Sequence, residues 1–134
     1  MRFLLAFSAC ALGVTLMAQQ LAAAPSLDVI RRALAGTWQS TDDTRFTREL
    51  DANGTAIDRY EGDASATTKG TWALFSGSAP PPDAKGKTLT PASTYLEIKE
   101  GEDVLFFEMD SLSLQRLSMF YIERGNRLAF TRLK

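Results

Sequence analysis

The chain has 134 residues, with 15 lysines and arginines against 16 aspartates and glutamates, for a net charge of -1. The basic residues are scattered rather than gathered in a stripe, which excludes nucleic acid as a partner, since a polyanion is held by concentrated positive charge. With no histidine and only one cysteine, Cys10, the chain lacks the usual general base near neutral pH, the Ser-His and Cys-His nucleophile pairs, imidazole ligation of haem and the common zinc sets.

Met1-Arg2 gives a positive start, and residues 3–18 form an apolar run too short and wrongly flanked for a transmembrane span. Ala22, Ala23 and Ala24 supply the small residues of a cleavage site. Cleavage is expected after Ala23, because cutting after Ala24 would leave Pro25 first. Residues 1–23 therefore read as a signal peptide and 24–134 as a single exported domain, periplasmic or secreted. Phe7-Ser8-Ala9-Cys10 vaguely resembles a lipoprotein lipid-attachment box, but it comes too early and Phe is a poor first residue, so Cys10 reads as a small apolar residue inside the signal. The mature domain then has no disulfide, and about 110 residues must be held by one core.

Ser26 is placed to cap a short helix with Leu27, Ile30 and Leu34 on one face, and Gly36 sits where a left-handed helix stop is wanted. From Thr37 the periodicity becomes two. Eight strands are predicted, at 37–41, 45–50, 55–61, 67–75, 94–99, 104–109, 116–122 and 127–133. Asp51-Ala52-Asn53-Gly54, Gly101-Glu102-Asp103 and Gly125-Asn126 are hairpin chemistries, so the strands form an antiparallel meander. Residues 76–91, with Pro80-Pro81-Pro82 and Lys85-Gly86-Lys87, read as a surface loop. A meander this long exposes its edges unless it closes. The expected fold is all-β, an eight-stranded antiparallel up-and-down barrel preceded by a short N-terminal helix. Phe107 with Met109, Leu117 with Met119 and Leu128 with Phe130 are expected to point inward. Phe106 falls on the outer face, where the helix is expected to cover it.

The triplet Gly-Thr-Trp occurs at 36–38 and again at 70–72, and holds both tryptophans of the chain. Gly36-Thr37-Trp38, after a short helix and opening the first strand, resembles the Gly-x-Trp signature of the lipocalins and their calycin relatives. Residues 50–55, Gly70-Thr71-Trp72, residues 107–112 and residues 128–132 follow in an order similar to small bacterial lipocalin-like proteins. The resemblance implies that Trp38 lies across the closed end of the barrel against an arginine of the last strand, here Arg132, as a structural clasp contributing about 0.5 to 2 kcal/mol. For the second triplet, Gly70 allows a bend or a close backbone approach, and Trp72 and Leu74 point to one side. One structural device used twice explains the pair better than duplication of a half-chain. A short chain with no mature disulfide and no evident C-terminal helix departs from ligand-carrying lipocalins, so a barrel filled by its own side chains stays open beside a ligand cup.

The carboxylates occur as Asp42-Asp43, Glu100 with Glu102-Asp103, and Glu108 with Asp110. The first two groups fall in turns and the third on the outer face. Asp51-x-Asn53-Gly54 lacks the later ligands of a calcium loop. Arg48 alternates with Phe46 and Leu50, so it faces inward and needs a protein carboxylate or the acid head of a ligand. Arg59 is a second candidate whose face the alternation leaves undecided. The expected function is noncovalent binding of a small apolar or amphipathic molecule, without catalytic residues, cofactor or metal. The expected lining is Phe46, Arg48, Trp72, Leu74, Leu96, Ile98, Phe107, Met119 and Tyr121. The alternative is an envelope protein-interaction module or enzyme inhibitor with a filled barrel, using the proline-rich loop and Phe106.

Overall fold

The structure, a computed structural model, describes residues 25–134. The expected signal peptide and Cys10 lie outside the described residues.

Helix α1, Leu27–Leu34, is capped by Ser26, whose hydroxyl accepts from the Val29 amide at 3.3 Å. It buries only Leu34, so its stability comes from docking rather than from its own length. Gly36 is not a left-handed helix stop. Ala35 is the C-cap with φ -59°, and Gly36, at φ 145°, already opens the first strand. Glycine is required there because a Cβ would collide with the Arg132 guanidinium and the Lys134 carbonyl.

The strands are β1 (Gly36–Ser40), β2 (Phe46–Leu50), β3 (Thr55–Tyr60), β4 (Asp63–Ser76), β5 (Thr94–Glu100), β6 (Asp103–Leu112), β7 (Arg116–Tyr121) and β8 (Asn126–Arg132). Each pairs antiparallel with the next, and β8 returns to β1 through Trp38↔Arg132, Gln39↔Thr131 and Ser40↔Phe130. The barrel is therefore closed, in up-and-down order, and no strand is left at an open edge of the sheet. β4 starts at Asp63 rather than 67, because its first half carries Ala, Ser and Thr with no apolar alternation to mark it. β6 runs on to Leu112 through an irregularity between Met109 and Ser111, which hides the continuation behind polar residues.

Two apolar clusters result. The barrel interior holds Leu34, Trp38, Leu50, Trp72, Leu96, Ile98, Phe107, Leu117, Met119 and Phe130. Outside the wall, Phe75, Ala84, Tyr95 and Phe106 form a second cluster with Leu89, Val104 and Ile122. The β4–β5 loop folds over this cluster through a 3-10 turn at Pro82–Ala84, so the loop and not helix α1 covers Phe106. Phe75 stacks on Tyr95 at 5.3 Å and meets Phe106 edge-on at 6.0 Å. Polar ties fix the loop: Lys99 to Asp83 at 2.7 Å, the Thr90 amide to the Tyr95 hydroxyl at 2.7 Å, and Lys87 to Glu123. Phe106 is 1% exposed, which removes it as a contact for a protein partner.

Candidate functional site

The two ends of the barrel are built differently. At the end that carries helix α1, the two Gly-Thr-Trp triplets form matching clasps. Trp38 is fully buried, donates from its indole to the Leu34 carbonyl at 2.8 Å, and lies under the Arg132 guanidinium at 4.2 Å. Arg132 in turn donates to the carbonyls of Ala35 at 2.9 Å, Leu114 at 2.7 Å and Ala33. Two of these carbonyls belong to the helix C-terminal turn, where acceptors lack partners and positive charge is favoured. Trp72 repeats the arrangement. Its indole donates to the Asp51 carbonyl at 2.7 Å, and Arg31 of the helix lies over its ring at 4.3 Å while donating to the Ala52 carbonyl at 3.2 Å. Gly70 lets β4 approach β5 closely beside this clasp, since a Cβ there would strike the Lys99 carbonyl. Each triplet thus supplies a close-approach glycine and an indole that donates to a carbonyl beneath an arginine.

The opposite end holds a cavity of about 460 Å³, a size typical of small-molecule sites. Its apolar wall is Phe46, Leu105, Phe107, Leu128 and Phe130. Phe107 meets Tyr121 at 5.2 Å and Phe46 meets Phe130 at 6.4 Å. Ser40, Asp42, Asp43, Tyr60, Arg124 and Asn126 supply polar groups. The Tyr60 hydroxyl donates to Asp43 at 2.6 Å, and Arg45 adds a contact at 3.1 Å. The Tyr60 hydrogen bond first, and Arg45 second, hold the Asp43 carboxyl below the usual carboxylate range.

Arg48 also lines the cavity and is 5% exposed. It is the direct cross-strand partner of Asp58, and its Nε and Nη2 each donate to an Asp58 oxygen at 2.8 Å. Of the partners that an inward arginine needs, the barrel supplies the protein carboxylate. Arg48 Nη1 remains buried without a hydrogen-bond partner. The rings of Phe107 and Phe46 lie 4.9 and 5.4 Å from the guanidinium. Glu100 completes the polar group. Its carboxyl is pushed up to about 7, first by burial and then by the neighbouring Asp58, with Arg48 acting in the opposite direction. Its Oε1 is likewise buried and unpartnered.

Of the expected lining, Phe46, Arg48, Phe107 and Tyr121 come together in this cavity. Trp72, Leu96, Ile98 and Met119 lie in the packed core, with Leu74 against them, and do not reach it. Those five fill the barrel, because successive inward positions descend from the mouth into the clasped end. Arg59 points outward, 3.3 Å from Glu49. Sequence reasoning missed Asp58 and Tyr60, although the 51–54 turn pairs Leu50 with Ala56 and so sets Arg48 opposite Asp58. Leu128 and Phe130 were legible as inward residues but not as part of the mouth. Among the described residues no group of three or more His, Cys, Asp or Glu is arranged to hold a metal ion.

The chain matches no family model, no curated protein and no solved structure.

Proposed function

We propose that this is an exported lipocalin-like protein that noncovalently binds a small apolar or amphipathic molecule at the barrel mouth, without turning it over. The observation that carries the reading is the cavity of about 460 Å³, walled by aromatic and aliphatic side chains and containing one buried arginine. An apolar pocket with a few convergent polar groups is the usual form of a small-molecule site. The clasped end supports the reading from the other side, because packing there leaves the mouth as the place a ligand enters. Export rests on the N-terminal pattern, and the lipocalin-like assignment on the Gly-Thr-Trp motif and the Trp38–Arg132 stack together with the closed barrel.

Native mass spectrometry of the protein purified from the periplasm tests the proposal. The expected result is a retained mass that leaves on denaturation and is absent from a Leu128→Trp variant whose mouth is filled. A chain that stays bare after incubation with a lipid extract would overturn it, and would direct attention to a protein partner at the outer surface.

A further inference from the structure

Arg48 enters the proposed site with its charge already answered. Two of its nitrogens are engaged by the Asp58 carboxylate at 2.8 Å, and the Glu100 carboxyl lies beside that carboxylate. At the rim Asp43 is paired with Arg45 at 3.1 Å, and Asp42 and Arg124 line the opening with it, so the rim offers no excess of positive charge. A ligand carboxylate moving inward would reach a guanidinium that is already neutralised, adding net negative charge to a partly dry interior. What Arg48 still lacks is an acceptor for Nη1, a buried donor without a partner. An uncharged acceptor meets that need and leaves the charge balance as it is.

We infer that the site takes neutral apolar molecules bearing a carbonyl acceptor, such as an ester, ketone or amide, and discriminates against the corresponding carboxylate. The inference rests on the reading of the mouth as a ligand site and names its ligand class. Phe46 and Phe107, flanking the guanidinium, would enclose the carbonyl, and Leu128 and Phe130 would take the chain.

Methyl decanoate and decanoic acid, titrated calorimetrically into the full mature protein at about pH 8 below their aggregation limits, provide the test. The ester is expected to bind roughly tenfold more tightly than the acid. Asp58→Asn combined with Glu100→Gln leaves Arg48 without a neighbouring carboxylate and is expected to raise affinity for the acid by roughly tenfold, removing the preference. If that variant fails to fold, the double replacement Arg48→Met with Asp58→Leu removes one charge of each sign and leaves the net charge of the interior unchanged, and affinity for the ester should fall by roughly tenfold as its donor disappears. Equal or tighter binding of the acid by the unaltered protein would overturn the inference while leaving the carrier function standing. So would a preference for acid that vanishes in Arg124→Gln, which would place the head at the rim. Ester affinity unchanged in the Arg48→Met, Asp58→Leu variant would also overturn it. Failure of both probes to bind would remove the ligand site itself.

Discussion

Replacing Glu100 by glutamine tests whether the buried polar group inside the barrel is arranged as described. Burial and the neighbouring Asp58 raise its carboxyl from 4.5 to about 7. Between those values the folded chain keeps a proton that the unfolded chain has released. Stability from this group is therefore fully present below about pH 4.5 and is lost as pH rises through about 7. At 1.36 kcal/mol per unit the ceiling is about 3 kcal/mol. The side chain is only partly buried, and solvent screening lowers the expected effect to about 1 kcal/mol. Glutamine carries an amide that donates to Asp58 as the protonated acid does, at every pH. Urea denaturation of both proteins at intervals from about pH 5 to 8 measures the difference. The stability gap is expected to open with rising pH and to favour Glu100→Gln by about 1 kcal/mol at the alkaline end. The lowered carboxyls of Asp43, Asp83 and Asp110 act at lower pH and are common to both chains, so they cancel. A gap that stays flat, or that favours glutamate at pH 8, would refute the reasoning.

Three further outcomes are expected. A double-mutant cycle of Trp38→Ala and Arg132→Ala should show coupling of about 0.5–2 kcal/mol in urea denaturation, and strictly additive losses would mean that the guanidinium acts on the helix carbonyls alone. Gly70→Ala drives a methyl group into the Lys99 carbonyl and should cost about 1–3 kcal/mol by thermal melting; an unchanged melting temperature would show that the strands part there without strain. Phe106→Ala should cost about 3–5 kcal/mol and expose the β4–β5 loop to proteolysis, and a loss under about 1 kcal/mol would mean that the loop does not seal this cluster.

The eight strands were legible from their alternation, and at 51–54, 101–103 and 125–126 the hairpin is announced a second time by its turn. Where one of these signals is missing, the boundary slips. Asp63 to Thr67 of β4 has no apolar side chain larger than alanine, and Asp110-Ser111 interrupts the alternation of β6. The cover over Phe106 was illegible for a different reason. Proline in residues 76–91 excludes a central strand but does not show where a loop lands, and Ala84 and Leu89 are too few to mark a buried face in advance. The site was half legible. Alternation tells which side chains face inward, and on that ground Phe46, Arg48, Phe107 and Tyr121 were found. It does not tell how far along the barrel axis each one sits, so Trp72, Leu96, Ile98 and Met119 could not be separated from them. Asp58 was within reach of register reasoning, since a hairpin that pairs Leu50 with Ala56 has to pair Arg48 with Asp58.

The uneven ends explain how the barrel can hold an incompletely satisfied polar group. A buried pair with an unpartnered donor is a poor source of stability, because desolvation consumes most of the attraction between its charges. Arg48, Asp58 and Glu100 must therefore be carried by packing elsewhere. That packing is concentrated at the clasped end, where two indoles and two arginines join the helix to β1, β8 and the β2–β3 turn. The duplicated triplet and the buried arginine thus have complementary roles. Two Gly-Thr-Trp clasps pin one end of the barrel while the other keeps a buried donor unpartnered, and on the proposed function that donor is what a ligand acceptor completes.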